Sequence, residues 1–286
     1  MKKVLVICGP TASGKSSLAL REAAARGGEV VSADSMQLYC DLPVGTAQVT
    51  ESERAGIPHH LVGIYPLEAR AEVFSYQKMA DEVISDIISR GKLPVICGGT
   101  GMYIRALICG LDDLPADREL RAELDARYDS DDAQEELFVR MAELDPAALE
   151  KYKSCRRRLL RALEVRMISG KSILELQKNS AARRYDAEVI LLDPPADKLK
   201  EAIRRRAEMM LDSGWLEEAE EAIKRGLFET PTAHQAIGYR QIAEYLAGKS
   251  SRQELVEKIS TVTWRYARRQ RTWFRHQEPR PDKIIS

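Results

Sequence analysis

One segment near the amino terminus has the residue types and spacing of a phosphate-binding loop. Residues 9–16 read Gly-Pro-Thr-Ala-Ser-Gly-Lys-Ser, between an apolar segment and a helical pattern. The glycines let backbone N–H groups surround phosphate oxygens, Lys15 adds a positive charge, and the Ser16 hydroxyl can hold Mg²⁺. The segment predicts binding of a diphosphate or triphosphate, without specifying ATP. The predicted phosphate-binding residues are Gly9, Pro10, Thr11, Ala12, Ser13, Gly14, Lys15 and Ser16.

Two further segments could bring side chains to the same place. Asp34 follows the predicted strand 29–32, and Thr100 lies in the glycine-rich segment 98–101. Ligands of open parallel sheets bind beyond the carboxyl ends of the strands. We therefore expect Asp34 at the end of a strand beside the phosphate-loop strand, where it could accept a proton or bind a metal. The alternative for Asp34 is an ordinary turn or helix N-cap.

Two charged residues in the second half have competing interpretations. Asp193 ends the apolar segment 189–192 and could be the Mg²⁺ ligand of an ATPase, but the structural interpretation is favoured because such strands are frequent. Arg206 lies on a helical pattern close to its inward stripe of Leu199, Ile203 and Met210. It could bind a diphosphate. Alternatively, it extends along the surface to a carboxylate.

Arginine clusters indicate a nucleic-acid surface. Arg157 and Arg161 are separated by four residues on a helix predicted to bury Leu159, Leu163 and Met167, and could bind a phosphate backbone. The last long helix is predicted to bury Leu255, Ile259, Val262, Tyr266 and Trp273. Its arginines suit single-stranded RNA, although an aromatic stripe is more often core. They are Arg265, Arg268, Arg269, Arg271 and Arg275.

Alternating strand and helix patterns must position these residues. Strands are predicted at 4–8, 29–32, 93–97 and 189–192, and helices at 15–25, 74–90, 197–212, 215–224 and 252–275. Between them, 115–185 shows only helical patterns. The predicted fold class is α/β, a P-loop NTPase-like parallel sheet with an all-helical insertion. The predicted domains are a catalytic core of 1–114 with 186–286, and an insertion of 115–185.

Charge and composition narrow the class of protein. The net charge is zero, but 112–150 carries 14 acidic against 4 basic residues, and 151–185 carries 2 against 11. Such segregation can build a basic surface on a neutral protein, or pair two solvated helix faces. No apolar stretch is long enough to span a membrane, and the five scattered cysteines fit a reducing cytoplasm.

Taken together, the motifs resemble those of bacterial tRNA dimethylallyltransferases over almost the whole chain. The similar segments are 9–16, Asp34-Ser-x-Gln-x-Tyr39, Gly45-Thr-Ala47, Pro58-His-His-Leu61, Gly98-Gly-Thr-Gly-x-Tyr103, Arg161-Ala-Leu-Glu164, Ile237-Gly-Tyr-Arg240 and Arg269-Gln-x-Thr-Trp-Phe-Arg275. Two positions depart from the family pattern. Gln48-Val49 stands where Lys-Pro is usual, and Gly63 stands where Asp is usual.

The resemblance implies transfer of a dimethylallyl group from its diphosphate to the exocyclic amine of the adenosine 3′ of the anticodon, position 37. It implies that Asp34 takes the amine proton, that Thr100 lies between the substrates, and that Lys15, Arg206 and Mg²⁺ hold the diphosphate. The chain is expected to act as a cytoplasmic monomer on the anticodon stem-loop of tRNA. The residues implied in tRNA binding are Asp34, Ser35, Met36, Gln37, Thr100, Arg121, Arg157, Arg158 and Arg161.

Two other functions would also use the phosphate loop. A small-molecule or nucleotide kinase would explain the loop and Mg²⁺, but not the arginine-rich segments. An RNA-binding NTPase without transfer chemistry would require Asp193 as a metal ligand.

Overall fold

The described strands form one parallel sheet. The structure, a computed structural model, describes residues 2–112, 114–177 and 183–286, with the backbone alone at 131 and 132. The strands are β1 (Lys3–Cys8), β2 (Gly28–Ser32), β3 (His59–His60), β4 (Leu93–Gly98), β5 (Asp186–Leu192) and β6 (Lys283–Ile285). Their order is β3-β2-β4-β1-β5-β6, with every neighbouring pair parallel. The predicted α/β class with a parallel sheet is confirmed.

The described helices all lie between β1 and β6 in the chain. Those of the first half are α1 (Lys15–Arg26), α2 (Glu51–Arg54), α3 (Val73–Ser89), α4 (Gly101–Cys109), α5 (Arg118–Arg127), α6 (Asp131–Leu144) and α7 (Pro146–Tyr152). Those of the second half are α8 (Arg156–Ser169), α9 (Ile173–Leu176), α10 (Ala196–Asp212), α11 (Trp215–Lys224), α12 (Tyr239–Leu246) and α13 (Arg252–His276). Short 3₁₀ turns occupy Leu227–Glu229 and Ala233–Gln235.

The strand β1 is apolar throughout because both of its faces are covered. Val4 and Val6 belong to the cluster that α3 and α4 complete, whereas Leu5 and Ile7 pack with α1. Consecutive strand residues point to opposite faces, so a strand buried on both sides needs a continuous apolar run. This burial fixes the end of β1, where the phosphate loop begins.

The strand order corrects one expectation. Asp34 was predicted at the end of a strand beside the phosphate-loop strand, but β4 lies between β2 and β1. The acid that ends a direct neighbour of β1 is Asp193, after β5. Parallel strands need crossover connections, and the crossover from β2 leaves a gap that β4 fills. Asp34 nevertheless shares the rim, because all strands are parallel.

The chain divides into two compact units. One comprises Met1–Gly110 with Ala181–Ser286, and the other comprises Leu111–Ser180. The corresponding sequence prediction placed the insertion at 115–185, of which 178–182 lie outside the described residues. The helices α5 to α9 build the second unit around an apolar core of its own. Met167, predicted to be buried there, is 43% exposed because it lies beyond the buried stripe of α8.

Among the described helices, none combines the length and apolar character needed to cross a membrane.

Candidate active site

The phosphate loop joins β1 to α1 through two positions that favour glycine. Gly9 has φ +152°, and a Cβ there would lie 2.5 Å from the Leu192 carbonyl oxygen on β5. Gly14 has φ 86° and directly precedes α1. A helix start that follows such a loop presents unpaired N–H groups and a positive dipole end. The loop therefore has the backbone geometry of an anion site.

Two cations converge on this loop. Lys15 Nζ donates to the Pro10 carbonyl oxygen at 3.2 Å, and Arg206 donates to Thr11 Oγ1 at 3.4 Å. Burial lowers the pKa of both side chains, and the Asp34 carboxylate opposes that shift in each. Within 2–112, 114–177 and 183–286, Arg206 forms no ion pair with a carboxylate within 4.0 Å. Two desolvated cations facing one carboxylate favour an added anion.

Asp34 lies directly beyond β2, in a turn that its own side chain stabilises. Its Oδ1 accepts a hydrogen bond from the Met36 backbone N–H at 3.1 Å. This Asx-type turn leaves the other carboxylate oxygen, Oδ2, available to a substrate. Asp34 lines a cavity together with Lys15 and Ser16. The carboxylate and the phosphate loop therefore border the same space, as a proton-transfer role requires.

Thr100 links the loop after β4 to the loop after β2. Its Oγ1 accepts from the Ser35 backbone N–H at 3.0 Å and donates to Ser35 Oγ at 3.3 Å. Tyr266 of α13 lines the cavity. Thr100 itself is not among the lining residues of the cavity. Thr100 instead contacts Ser35, the residue that follows Asp34.

Two cavities meet at the phosphate loop, where both are bordered by Lys15, Ser16 and Arg206. The first, with a volume of about 300 Å³, extends to Asp34 and between α10, α11 and α13. The second, of about 760 Å³, extends along α1. The apolar lining of the first is Ala12, Met36, Ile203, Ala207, Met210, Trp215, Ala236, Ile237 and Ile259. This arrangement can hold a phosphorylated apolar group with its phosphates on the loop.

One face of α13 borders the smaller cavity and carries Gln270, a residue that the sequence analysis did not assign to the site. Tyr266, Gln270 and Trp273 share one helical face. Tyr266 lines the cavity, Gln270 donates to the Gly99 carbonyl oxygen, and Trp273 packs against Gly101. Gln270 also accepts from the Thr11 backbone N–H at 2.8 Å. The available signal was a polar residue inside a buried stripe, since Ala267, Gln270 and Phe274 are all buried.

Asp193 is held by arginines of α13. Its Oδ1 accepts from Arg271 Nε at 2.5 Å and its Oδ2 accepts from Arg275 Nε at 2.9 Å. The carboxylate is buried, with 7% of the side chain exposed. Both oxygens are thus engaged in ion pairs, which agrees with the structural interpretation of Asp193.

Comparisons with known proteins identify the family. The profile described as IPP transferase matches residues 37–277, and that described as isopentenyl transferase matches residues 2–62. A tRNA dimethylallyltransferase of Caldanaerobacter subterraneus is 41% identical over 96% of this chain and 89% of its own length. The chain belongs to the tRNA dimethylallyltransferase family. A relative of the same name from Geobacter sulfurreducens is 42% identical over 96% of this chain and 89% of its own length.

Solved structures of the family share the fold. The full-length tRNA isopentenylpyrophosphate transferase of Bacillus halodurans aligns with a TM-score of 0.72 at 34% identity, covering 100% of this chain and 90% of its own. A eukaryotic dimethylallyltransferase, in a structure described as acting on tRNA, aligns with a TM-score of 0.83 at 27% identity, covering 96% of this chain and 70% of its own.

In this member of the tRNA dimethylallyltransferase family, the two departures from the family pattern lie next to each other. Gln48 Nε2 donates to the carbonyl oxygens of Gln37, at 3.2 Å, and Tyr39, at 2.8 Å. A Cβ on Gly63 would lie 3.4 Å from Gln48 Oε1, an ordinary contact. The Gln48 amide therefore supports the turn that carries the residues after Asp34.

The loop beside this turn is held by a carboxylate of α11. Glu218 accepts from the backbone N–H groups of Val44, at 2.6 Å, and Gly45, at 2.8 Å, and from the Tyr239 hydroxyl at 2.6 Å. A Cβ on Gly45 would lie 2.2 Å from Trp215 Nε1. Since Gly45 lines the smaller cavity, α11 helps to set the shape of that cavity.

The predicted tRNA-binding arginines of the insertion have two kinds of environment. Arg121 and Arg161 both pair with the buried Glu164, at 2.9 and 2.7 Å. The Arg121 pair joins α5 to α8, whereas the Arg161 pair lies within α8. Arg157 and Arg158 are exposed. Binding of tRNA by the four residues stays a prediction. Within the described parts of the chain, Arg157 and Arg158 have no carboxylate within 4.0 Å, so they can meet RNA without breaking an ion pair.

Proposed function

We propose that the protein transfers a dimethylallyl group from dimethylallyl diphosphate to the exocyclic amine of adenosine 37 in tRNA. One observation carries the proposal: a single cavity is bordered by the phosphate loop with Lys15 and Arg206 and by the carboxylate of Asp34. In the reaction, the C–O bond to diphosphate breaks, the C–N bond to the amine forms, and the amine loses a proton. The family, named for this activity on tRNA, supports the same reaction.

The residues divide into two roles. Lys15, Arg206 and the N–H groups of the phosphate loop would bind the diphosphate and stabilise its growing charge as it leaves. Asp34 would accept the amine proton, and Thr100 would hold the Ser35 turn that presents Asp34. Ser35, Met36 and Gln37 would contact the adenosine, because all three line the cavity beside Asp34.

Magnesium is part of the proposal, held mainly by the diphosphate. Mg²⁺ prefers oxygen ligands and retains several waters, so one hydroxyl and the diphosphate oxygens suffice. Ser16 borders both cavities and would supply that hydroxyl. When bound, the ion would neutralise part of the diphosphate charge. The described residues contain no cluster of three His, Cys, Asp or Glu side chains, which fits an ion that arrives with its substrate.

The deciding measurement is mass spectrometry of tRNA nucleosides after incubation with dimethylallyl diphosphate. A mass increase of one dimethylallyl group on adenosine 37, absent without enzyme, is the expected result. Transfer of a phosphoryl group from ATP to a small molecule or to tRNA would instead identify a kinase. Thermal unfolding adds a second comparison, because dimethylallyl diphosphate should raise the Tm more than ATP does.

We also propose that one chain suffices for transfer, since the residues assigned to the diphosphate and to the amine come from one unit of one chain. Light scattering during size-exclusion chromatography of active enzyme should give the mass of a monomer. A stable dimer would contradict this part of the proposal.

A further inference from the structure

Gln270 connects the two loops of the site through both ends of its side-chain amide. Its Oε1 accepts from the Thr11 backbone N–H at 2.8 Å, and its Nε2 donates to the Gly99 carbonyl oxygen at 2.9 Å. The side chain is buried, with the residue 5% exposed. Thr11 belongs to the phosphate loop after β1, and Gly99 directly precedes Thr100 after β4.

Only a group that donates and accepts can satisfy both contacts. A primary amide has an acceptor oxygen and a donor nitrogen at fixed separation, whereas a carboxylate only accepts and an ammonium only donates. The Gln270 amide also lies against the Gly99 backbone with no room for a side chain, because a Cβ on Gly99 would lie 2.3 Å from Gln270 Nε2. The contact therefore requires at 270 a side chain that both donates and accepts, as glutamine does, and it favours glycine at 99.

The backbone of α13 is fixed at this point by contacts on either side. One turn earlier, Ala267 is buried in a cluster with Leu199 and Ile203 of α10. The next residue, Arg271, pairs with the buried Asp193 at the end of β5. Gln270 is thus attached to a helix that is itself anchored to the rim of the sheet, and it can transmit that rigidity to the loops.

We propose that Gln270 is a positioning residue that holds the phosphate loop and the Thr100 loop at a fixed separation. The inference rests on the proposed function, in which the first loop holds the diphosphate and the second supports the turn carrying Asp34. The carbon attacked lies on the donor held by one loop, and the attacking amine lies beside the other. Gln270 therefore acts on the alignment of the reacting atoms without touching them.

Substitution should then slow the chemical step more than it weakens binding. Gln270→Met keeps the length of the side chain but removes both hydrogen bonds, and a shift of about 1 Å between reacting groups can cost about 100-fold. We expect the single-turnover rate with prebound tRNA to fall about 10- to 100-fold, with the Kd for tRNA changed less than about threefold. Gln253→Met, on an exposed part of the same helix, is the matched control and should retain the parent rate.

A pH profile of Gln270→Glu separates positioning from simple packing. A protonated carboxyl reproduces the donor and the acceptor of the amide, whereas the carboxylate loses the donor and faces the Gly99 oxygen. Burial raises the pKa of such a carboxyl. The rate of Gln270→Glu relative to the parent, measured at each pH, should therefore rise as the pH falls from about 8 to about 5.5. Using the ratio cancels every effect of pH that the two enzymes share.

The outcomes decide the proposal separately from the reaction. A Gln270→Met rate within about threefold of the parent, below the expected alignment effect, would overturn it. So would a Gln270→Glu ratio that does not change with pH, even if Gln270→Met failed to fold. If the parent itself transferred nothing, the proposed function would fall, and calorimetry with inorganic diphosphate would still test Gln270. Weaker binding of inorganic diphosphate by folded Gln270→Met would support the proposal that Gln270 holds the phosphate loop. Unchanged binding would refute that proposal.

Discussion

Lys15 and Arg206 carry positive charge in a place that penalises it. Burial lowers the pKa of both, and each is also close enough to Asp34 for that carboxylate to favour its charged form. A bound diphosphate would replace lost water as the partner of both cations. The energy of this desolvation is therefore recovered only when an anion is present, which makes the site selective for charged donors.

The lowered pKa of Lys15 predicts the pH dependence of diphosphate binding. The protonated amine binds the anion, so affinity is highest below the pKa of the free enzyme and falls as the pH rises through it. Because that pKa is below its ordinary value of 10.5, the loss should begin at a lower pH than for an exposed lysine. Lys15→Met should weaken binding about 10- to 100-fold at neutral pH and show less difference from the parent as the pH rises.

Isothermal calorimetry with inorganic diphosphate measures both quantities. The ratio of the two dissociation constants, parent against variant, cancels the titration of the diphosphate itself. A ratio that stays constant between about pH 7 and pH 10.5, the ordinary lysine value, would contradict the role assigned to Lys15.

Asp34 is expected to matter in the chemical step more than in binding. The lone pair of the adenine amine is delocalised into the ring, so the amine becomes nucleophilic only as its proton is removed. A positioned general base contributes about 10²- to 10⁴-fold, and Asp34→Asn should lower the single-turnover rate with prebound tRNA by that factor. Donor affinity, determined by the phosphate loop, should change little.

The control for Asp34 is Asp197→Asn, an aspartate 98% exposed on α10. It should transfer at the parent rate. A rate for Asp34→Asn within about threefold of the parent, less than the smallest contribution expected of a general base, would limit Asp34 to holding the adenine.

At the scale of elements, the ends of the parallel strands meet at one rim, and α13 closes that rim from above the sheet. The helix starts with a capping box of Ser251 and Glu254 and runs for 25 residues. Its contacts reach the loop after β1, the loop after β4 and Asp193 after β5. The site thus depends on a helix that lies far from the phosphate loop in the sequence.

The opposite end of β2 provides a test of stability. Glu29 has 2% of its side chain exposed and accepts from Arg90, Lys92 and His60. The hydrogen bond from Arg90 is the largest cause that holds the Glu29 pKa below its usual range despite burial. Hydrogen bonds from Lys92 and His60 lower the pKa further. A lowered pKa stabilises the fold above the unfolded-state value of 4.5, and this stabilisation is lost as the pH falls through the folded value.

Glu29→Gln should therefore lower the free energy of unfolding by about 3 kcal/mol near neutral pH, because Arg90, Lys92 and His60 lose their anionic partner. The difference from the parent should shrink below pH 4.5. Urea denaturation at several pH values measures it. Glu188→Gln, at a glutamate 50% exposed, should change the stability by less than about 0.5 kcal/mol. A difference between parent and Glu29→Gln that is independent of pH would contradict the assignment.

Over the whole molecule, opposite charges are separated along a chain whose net charge is zero. A neutral protein can bind RNA when its basic residues lie together, because binding releases counterions from neighbouring phosphates. Arg157 and Arg158 are exposed on α8, and Arg265, Arg268 and Arg269 are exposed on α13. Each unit therefore offers basic side chains to an RNA partner.

Binding of tRNA should weaken steeply with salt. Each phosphate contact contributes about −0.7 to −0.9 to the slope of log affinity against log salt, so Arg157→Ala with Arg158→Ala should reduce that slope by about 1.5. Arg127→Ala, at an exposed arginine of the same unit that pairs with Glu136, is the matched control. Filter binding at several salt concentrations measures the slopes. An affinity independent of salt would refute an RNA surface built from arginines.

The sequence alone determined the phosphate loop, the α/β class and the residues that end the strands. These features follow from local rules: glycine at left-handed positions, continuous apolar runs for strands buried on both faces, and a 3.6-residue stripe for helices. The family resemblance rested on the same short segments, and the comparisons confirm the family.

Only the tertiary structure decided which partner each polar side chain has. Nothing near Gln270 in the sequence indicates that it bridges Thr11 and Gly99, 259 and 171 residues away. Likewise, only the structure shows that Arg121 and Arg161 both pair with the buried Glu164. The order of the sheet, with β4 between β2 and β1, depends on how crossovers pack. Local patterns specify whether a residue is buried, whereas its hydrogen-bond partner depends on chain segments that meet only after folding.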